Sequence, residues 1–336
     1  MNQIYVQTND AQQNEIVAYS RADDGSLTRR GAYPTGGRGT GKPHLPSQSS
    51  VVASDGRLLV VNAGSGDVSL FAIDGSEPRL VHTAAAGDTP TSIAVRGEHV
   101  YVLANGDAAI HGFRIESDEL VRLPGSTRQL SSAAADGAQV AFSPDGTTLV
   151  VTERGSNAIS TFTVDERGYA YGPRTIPSAG ATPYGFDFTA TGALVVTEAF
   201  GGERGKAAAS SYALTDAGVI EPVSGSVGDT RSEVCWAAAT HDGRFVYVTN
   251  FGDGTISSYG IGGDGSIELV EPVAGSTRLG EPGIRDEAIT PDGRFLYAID
   301  ADAGRVHGWE ISADGGLLPI GAFDGVPATV AGLATS

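Results

Sequence analysis

A tight-turn glycine recurs along this chain at a nearly constant interval. Gly56, Gly97, Gly146, Gly192, Gly243 and Gly293 are separated by 41, 49, 46, 51 and 50 residues. The segments around them are alike, as in ASDGRLLVVNAG, FSPDGTTLVVTERG, THDGRFVYVTNFG and TPDGRFLYAIDAD. Each turn has a short apolar run on either side, which is the pattern of a two-stranded hairpin. Self-similarity at a period of about 40–50 residues, with several strands per unit, is the signature of a β-propeller.

The units can be read strand by strand. First strands are expected at 48–54, 90–95, 137–143, 183–189, 234–240 and 285–290. Second strands follow the turns (RLLVVN, HVYVLA, TLVVTE, ALVVTE, FVYVTN, FLYAID), and an alternating third strand and a weaker outer segment complete each unit. The N-terminal region supplies a second and a third strand, 3–9 and 15–21, but no first strand, whereas 329–336 reads as a first strand with nothing after it. Joined, they make a seventh blade and remove an open sheet edge. The expected fold is all-β: a seven-bladed propeller, four antiparallel strands per blade, closed by the two chain ends, with residues 1–336 forming one domain.

Composition agrees and excludes several functions. Among 336 residues, 47 are Gly, which a helical protein would not tolerate because interior Gly costs a helix about 1 kcal/mol each. The formal charge of −18 argues against nucleic acid and against anionic membranes as partners. Cys235 is the single cysteine, so no internal disulfide and no Cys-based zinc site can form. The opening MNQIYVQTND does not read as a signal peptide, and no run approaches 18 apolar residues. These features lead us to expect a cytoplasmic protein with a small-molecule ligand and no cofactor. Gly36 to Lys42 has phosphate-loop spacing, but Pro43 stands where Ser or Thr is needed and no helix follows.

In a propeller the Asp-Gly turns share one face, and the loops that vary surround the channel mouth on the other. Second-strand exits place Asn9, Asn62, Asn105, Glu153, Glu198, Asn250 and Asp300 around that mouth, and Asn and Asp there also suit turn initiation. First-strand entries contribute Gln48, Asp136, Gln139, Tyr184, Glu233, Trp236, Arg285, Asp286 and Glu287; Arg154, Arg231, Phe200 and Phe251 lie in nearby loops. Arginines among carboxylates and aromatics read either as a small-molecule pocket or as a surface ion-pair lattice. The Gly-rich stretches 34–47 and 200–210 are candidate lids, and His44, in the first, is the one histidine placed near the mouth.

The repeated PDGRFLY-type turns, seven units and overlapped termini resemble the seven-bladed lactonase family, which includes propeller-type 6-phosphogluconolactonases and fungal carboxymuconate-lactonizing enzymes. The resemblance spans essentially the whole chain. It implies a His-x-His before the fourth blade, where this chain has Asp136 and Ala138, and an Arg-His pair opening the fifth, where it has Thr182-Pro183. Of two glutamates the resemblance implies, Glu198 is present, while Trp236 stands at the other place.

Three functions follow as expectations. One is a lactonase-like hydrolase or isomerase acting on a small, partly apolar metabolite. Its catalytic groups would be Glu198 as base, Glu153 as second carboxylate and Arg285 on the oxyanion. Gln48, Asp136, Gln139, Tyr184, Arg231, Trp236, Phe251, Glu287 and Asp300 would form its substrate wall. The second is a non-catalytic propeller that binds a small molecule or protein. The third is a metal-dependent lactonase using Glu153, Glu198, Asn250 and Asp300 as hard oxygen ligands.

Overall fold

The hairpins read from the sequence assemble into seven antiparallel sheets, seen here in a computed structural model described for residues 2–75, 77–215 and 217–336. Blades 2 to 7 begin with innermost strands Val51–Ser54, Pro90–Arg96, Gly137–Phe142, Pro183–Phe188, Val234–Ala239 and Ile284–Ile289. Each continues outward in chain order, and blade 3 adds a two-residue strand, Arg128–Gln129. Blade 1 is composite: Val330–Thr335 is its innermost strand and Gln3–Thr8 its second. The two ends pair antiparallel, Tyr5 opposite Ala334 and Val6 opposite Leu333.

Second strands such as Thr148–Glu153 and Phe295–Asp300 are buried along their whole length, because neighbouring blades cover both faces. The apolar core therefore lies between blades. Leu59, Val61 and Leu70 of blade 2 pack on Val100, Val102 and Phe113 of blade 3. Outer strands are largely open to solvent, as in Leu317–Asp324, where Leu317 is the buried residue. The turns carry their own fastening: Ser143, Thr240 and Thr290 donate to Asp145, Asp242 and Asp292 at 2.6–2.7 Å, and those Asp side chains accept backbone N–H groups two residues on.

A second-strand tyrosine also locks blades together. Tyr101, Tyr247 and Tyr297 each lie four residues after their turn glycine. Their hydroxyls donate across the blade boundary to the carbonyls of Gly168 (2.8 Å), Gly315 (2.9 Å) and Gly25 (2.6 Å). Gly25 and Gly315 have φ of 82° and 84°, and a Cβ at either would lie under 3 Å from Phe295 or Phe245 of the preceding blade. Arg21 to Asp292 at 2.7 Å, with the arginine buried, reinforces the junction of blades 7 and 1.

The second-strand exits correct the sequence reading. Glu198 is fully buried, and its carboxylate accepts from the Gly180 N–H (2.7 Å), the Ser210 hydroxyl (2.5 Å) and the Ser226 hydroxyl. Glu153 is equally buried and accepts from Ser131, Ser156 and Ser160. Asn62 donates to Ser69 and Asn250 to Ser257, both at 2.8 Å. Asp300 is held by Arg278 at 3.0 Å and by the Ala303 N–H at 2.9 Å. These side chains tie strands and connecting loops together, so the carboxylates expected as catalytic (Glu198, Glu153) and substrate-binding (Asp300) are engaged in hydrogen bonds of the frame. Among the described residues, no three His, Cys, Asp or Glu side chains are placed to hold a metal ion, so the oxygen ring does not converge into a metal centre.

Two stability outcomes follow. Tyr247→Phe should lower unfolding stability by about 1 kcal/mol, the usual worth of one buried hydrogen bond, read from the denaturant midpoint. Glu198→Ala should lose about 2–3 kcal/mol, because the buried Gly180 and Ser210 donors, and Ser226 beside them, lose their acceptor.

Candidate functional site

The segment 34–50 shapes the mouth. It does not cap the opening from outside as a lid would. Asn9 holds it through Thr40 (2.8 Å) and the Lys42 carbonyl (3.1 Å), and His44 forms a parallel bridge with Val330. Residues 48–50, expected in a strand, leave the sheet instead and cross the channel, which shortens blade 2's innermost strand to Val51–Ser54. Gln48 bonds both backbone groups of Ala237 in blade 6, donating at 2.8 Å and accepting at 3.1 Å. The Trp236 indole N–H donates to the Ser47 carbonyl at 3.0 Å. This partition leaves a mouth pocket of about 360 Å³ on one side and a channel cavity of about 610 Å³ on the Asp-Gly-turn side.

Tyr184, Trp236 and Phe251 form the apolar wall of the mouth pocket, Tyr184 and Trp236 meeting edge to face at 5.7 Å. Two arginines lie on these rings. The Arg154 guanidinium is 4.9 Å from the Tyr184 centroid and bonds Asp136 at 2.7 Å. That of Arg285 is 4.8 Å from the Phe251 centroid. Arg285 is 5% exposed, and its Nε and Nη1 have no hydrogen-bond partner. Among the described residues its one ion pair, with Asp302 at 3.8 Å, is shared with Arg278. Burial works against the Arg285 charge, lowering its pKa, while Asp302 supports it. The result is a desolvated cation with donors to spare, set in the wall of an aromatic pocket.

His44 completes the pocket, its ring 6.3 Å from that of Phe251. Burial, and then the charges of Arg285, Arg154 and Lys42, lower its pKa to about 4. The imidazole is therefore neutral at ordinary pH and can accept a proton. Glu233, held at φ 54°, brings a carboxylate to the same rim. Cys235 also lines the pocket, but burial raises its thiol pKa to about 12, which leaves it un-ionised and a poor nucleophile.

Of the residues named from sequence, the structure gathers Arg285, Asp136, Tyr184, Trp236 and Phe251 in this pocket. Gln48, Gln139 and Glu287 line the channel cavity beyond the partition. The side-chain carbonyl of Gln139 accepts the Phe186 N–H at 2.7 Å, so its task is to join blades 4 and 5. Arg231 lies outside the pocket wall and donates to its neighbour Thr230. In the 200–210 stretch, Gly201 and Gly202 of the short 3-10 turn Phe200–Gly202 contribute backbone to the pocket edge. His44 and Arg154, placed near the mouth from sequence but assigned no role, belong to the centre of the site. Their signal was a pairing across blades that no local motif carries.

Comparison with known proteins agrees with this architecture. No curated protein matches the sequence. The fold is shared with a Lactobacillus plantarum protein (18% identity, TM-score 0.79, all of both chains covered). It is shared too with a functionally unknown protein from Desulfotomaculum acetoxidans (14% identity, TM-score 0.76, covering 99% of this chain and 98% of that one). The Pseudomonas aeruginosa periplasmic gluconolactonase is likewise similar, at 18% identity and TM-score 0.73, covering 99% of this chain and 98% of the other. The family model for the seven-bladed β-propeller lactonases matches residues 52–199 and 197–329, and the chain belongs to that family.

Proposed function

We propose that the chain is a lactone hydrolase or isomerase acting at the mouth pocket on a small, partly apolar metabolite with a carboxylate or a developing oxyanion. The observation that carries this reading is Arg285: a nearly buried guanidinium with two nitrogens unpartnered, set on Phe251 at the pocket wall. A donor held desolvated before the substrate arrives needs little reorganisation as negative charge develops on the lactone carbonyl. Tyr184, Trp236 and Phe251 supply the apolar walls, and the volume of about 360 Å³ suits a small molecule.

In the hydrolytic direction the neutral His44 takes a proton from the attacking water. Arg285 bears the tetrahedral oxyanion. As the ring C–O bond breaks, the imidazolium returns the proton to the leaving alkoxide. Arg154 is already paired with Asp136, so its part is to orient the substrate and hold Tyr184 in place. That same pairing favours a second reading, a binding propeller without turnover, because it leaves Arg285, whose ion pair with Asp302 is beyond hydrogen-bond reach at 3.8 Å, as the guanidinium free to take a ligand's anion.

A lactone panel separates the two readings. Arg285→Gln should lower kcat/KM by about a hundredfold or more, the usual cost of losing one oxyanion donor. Glu198→Gln should leave turnover within a few-fold. Ligand binding with no product from any lactone would establish the second reading. The pH profile is a further check. His44 is active when neutral and its pKa is depressed, so kcat/KM should stay level as pH falls through the ordinary histidine range and drop only toward about pH 4. A fall near pH 6.5, the ordinary histidine value, would assign the base elsewhere.

A further inference from the structure

The channel cavity beyond the partition is lined by a group the mouth chemistry does not use. Glu287, on blade 7's innermost strand, is 3% exposed, lines the cavity, and has no hydrogen-bond partner for either carboxyl oxygen. Its neighbours Asp286 and Asp187 line the same cavity, and each accepts a backbone N–H on both carboxyl oxygens. Asp286 accepts the Leu333 N–H (3.1 Å) and the Glu287 N–H (3.0 Å), and Asp187 accepts those of Ala239 (2.9 Å) and Phe188 (2.8 Å). Both aspartates join blades through backbone N–H groups. The Thr249 backbone of blade 6 lies beside the Glu287 carboxyl without closing a hydrogen bond of good geometry, and the group sits where desolvating a carboxyl is costly.

Much of the remaining wall is apolar, including Val51, Ala141, Ala237 and Leu333, with Gln48 and Gln139 among the polar groups. A bare metal ion does not suit it: among the described residues the carboxyl oxygens do not converge as a metal ion requires. An organic cation suits both surfaces, the charged end on oxygen and the hydrocarbon on the alanines and valine. The opening, past Thr240, His241 and Thr335, lies on the Asp-Gly-turn face of a chain with net charge −18, whose field draws cations in.

We propose that this channel binds a linear alkylammonium, a short diamine being the simplest case, with an ammonium on Glu287 flanked by Asp286 and Asp187 and the methylenes along Val51, Ala141 and Leu333. Binding is accompanied by proton release. Burial, and then the like charges of Asp286 and Asp187, push the Glu287 carboxyl well up, with the Thr249 backbone opposing weakly. Burial also raises Asp286 to about 8 and Asp187 to about 6, the latter opposed in part by nearby His241. Tyr247 of blade 6, whose hydroxyl is un-ionised, is the remaining titratable group beside Glu287. The arriving ammonium stabilises the carboxylate, and the carboxyl proton leaves to buffer.

The test is calorimetric titration of the intact protein with 1,4-diaminobutane. Butane-1,4-diol serves as a neutral control of the same length, and calcium and magnesium chlorides as metal controls. The expected result is saturable diamine binding with no heat from the diol. Affinity should be at least about tenfold weaker in Glu287→Gln, the worth of a charged hydrogen bond. In wild type, heats in two buffers of different ionisation enthalpy should differ by about one proton released per diamine. This readout stands even if the variant fails to fold. Absence of diamine binding, equal binding by Glu287→Gln, no proton release, or preference for a metal ion would each overturn the proposal.

Discussion

Each blade ends inward on a strand with one unpaired edge, and what satisfies that edge governs the rest of the molecule. Innermost strands belong to separate sheets, so their channel-side N–H groups have no ladder partner and would otherwise be buried orphans. Side chains of the preceding blade supply acceptors: Ser92 for Val140, Gln139 for Phe186, Asp187 for Ala239 and Asp286 for Leu333. Gln48 serves Ala237 from across the channel. The centre of the propeller is therefore obliged to be polar, and that obligation gives rise to both the partition and the acidic cavity.

The partition in turn creates the mouth pocket. Because residues 45–50 cross the channel, Trp236 is held against Ser47, and Tyr184 and Phe251 are left as walls above it. Aromatic faces seat both arginines, and while Arg154 is also held by Asp136, Arg285 keeps two of its nitrogens free. Burial, and then their combined charge, lowers the His44 pKa and keeps the imidazole neutral. Guanidinium, imidazole and apolar wall thus come from blades 4 to 7 and from the crossing segment before blade 2, and none of these is a site alone.

Much of the frame was legible in the residues because it is periodic. The turn glycines, the apolar second strands and the split seventh blade each follow from spacing, and spacing survives in one dimension. The tyrosine pegs and the serine partners of the strand exits were equally periodic. Asn62 with Ser69, Glu153 with Ser160 and Asn250 with Ser257 share a seven-residue step. In blade 5 the 200–210 stretch widens that step, so Glu198 looks like a free carboxylate when its partner Ser210 is merely farther along the chain. Placement at the rim does not say which way a side chain points, and the exit carboxylates point into their own blades.

The sequence alone determined the number of blades, the closure of the ends and which loops share a face, since hydrogen-bonded hairpins are local and repeat with the chain. Tertiary structure alone decided that residues 45–50 turn inward, that Arg285 rather than Glu198 faces the pocket, and that Glu287 lies on the far side of a partition. Those outcomes depend on which buried donors and acceptors meet across a channel between residues nearly two hundred positions apart, and no local pattern encodes such a meeting.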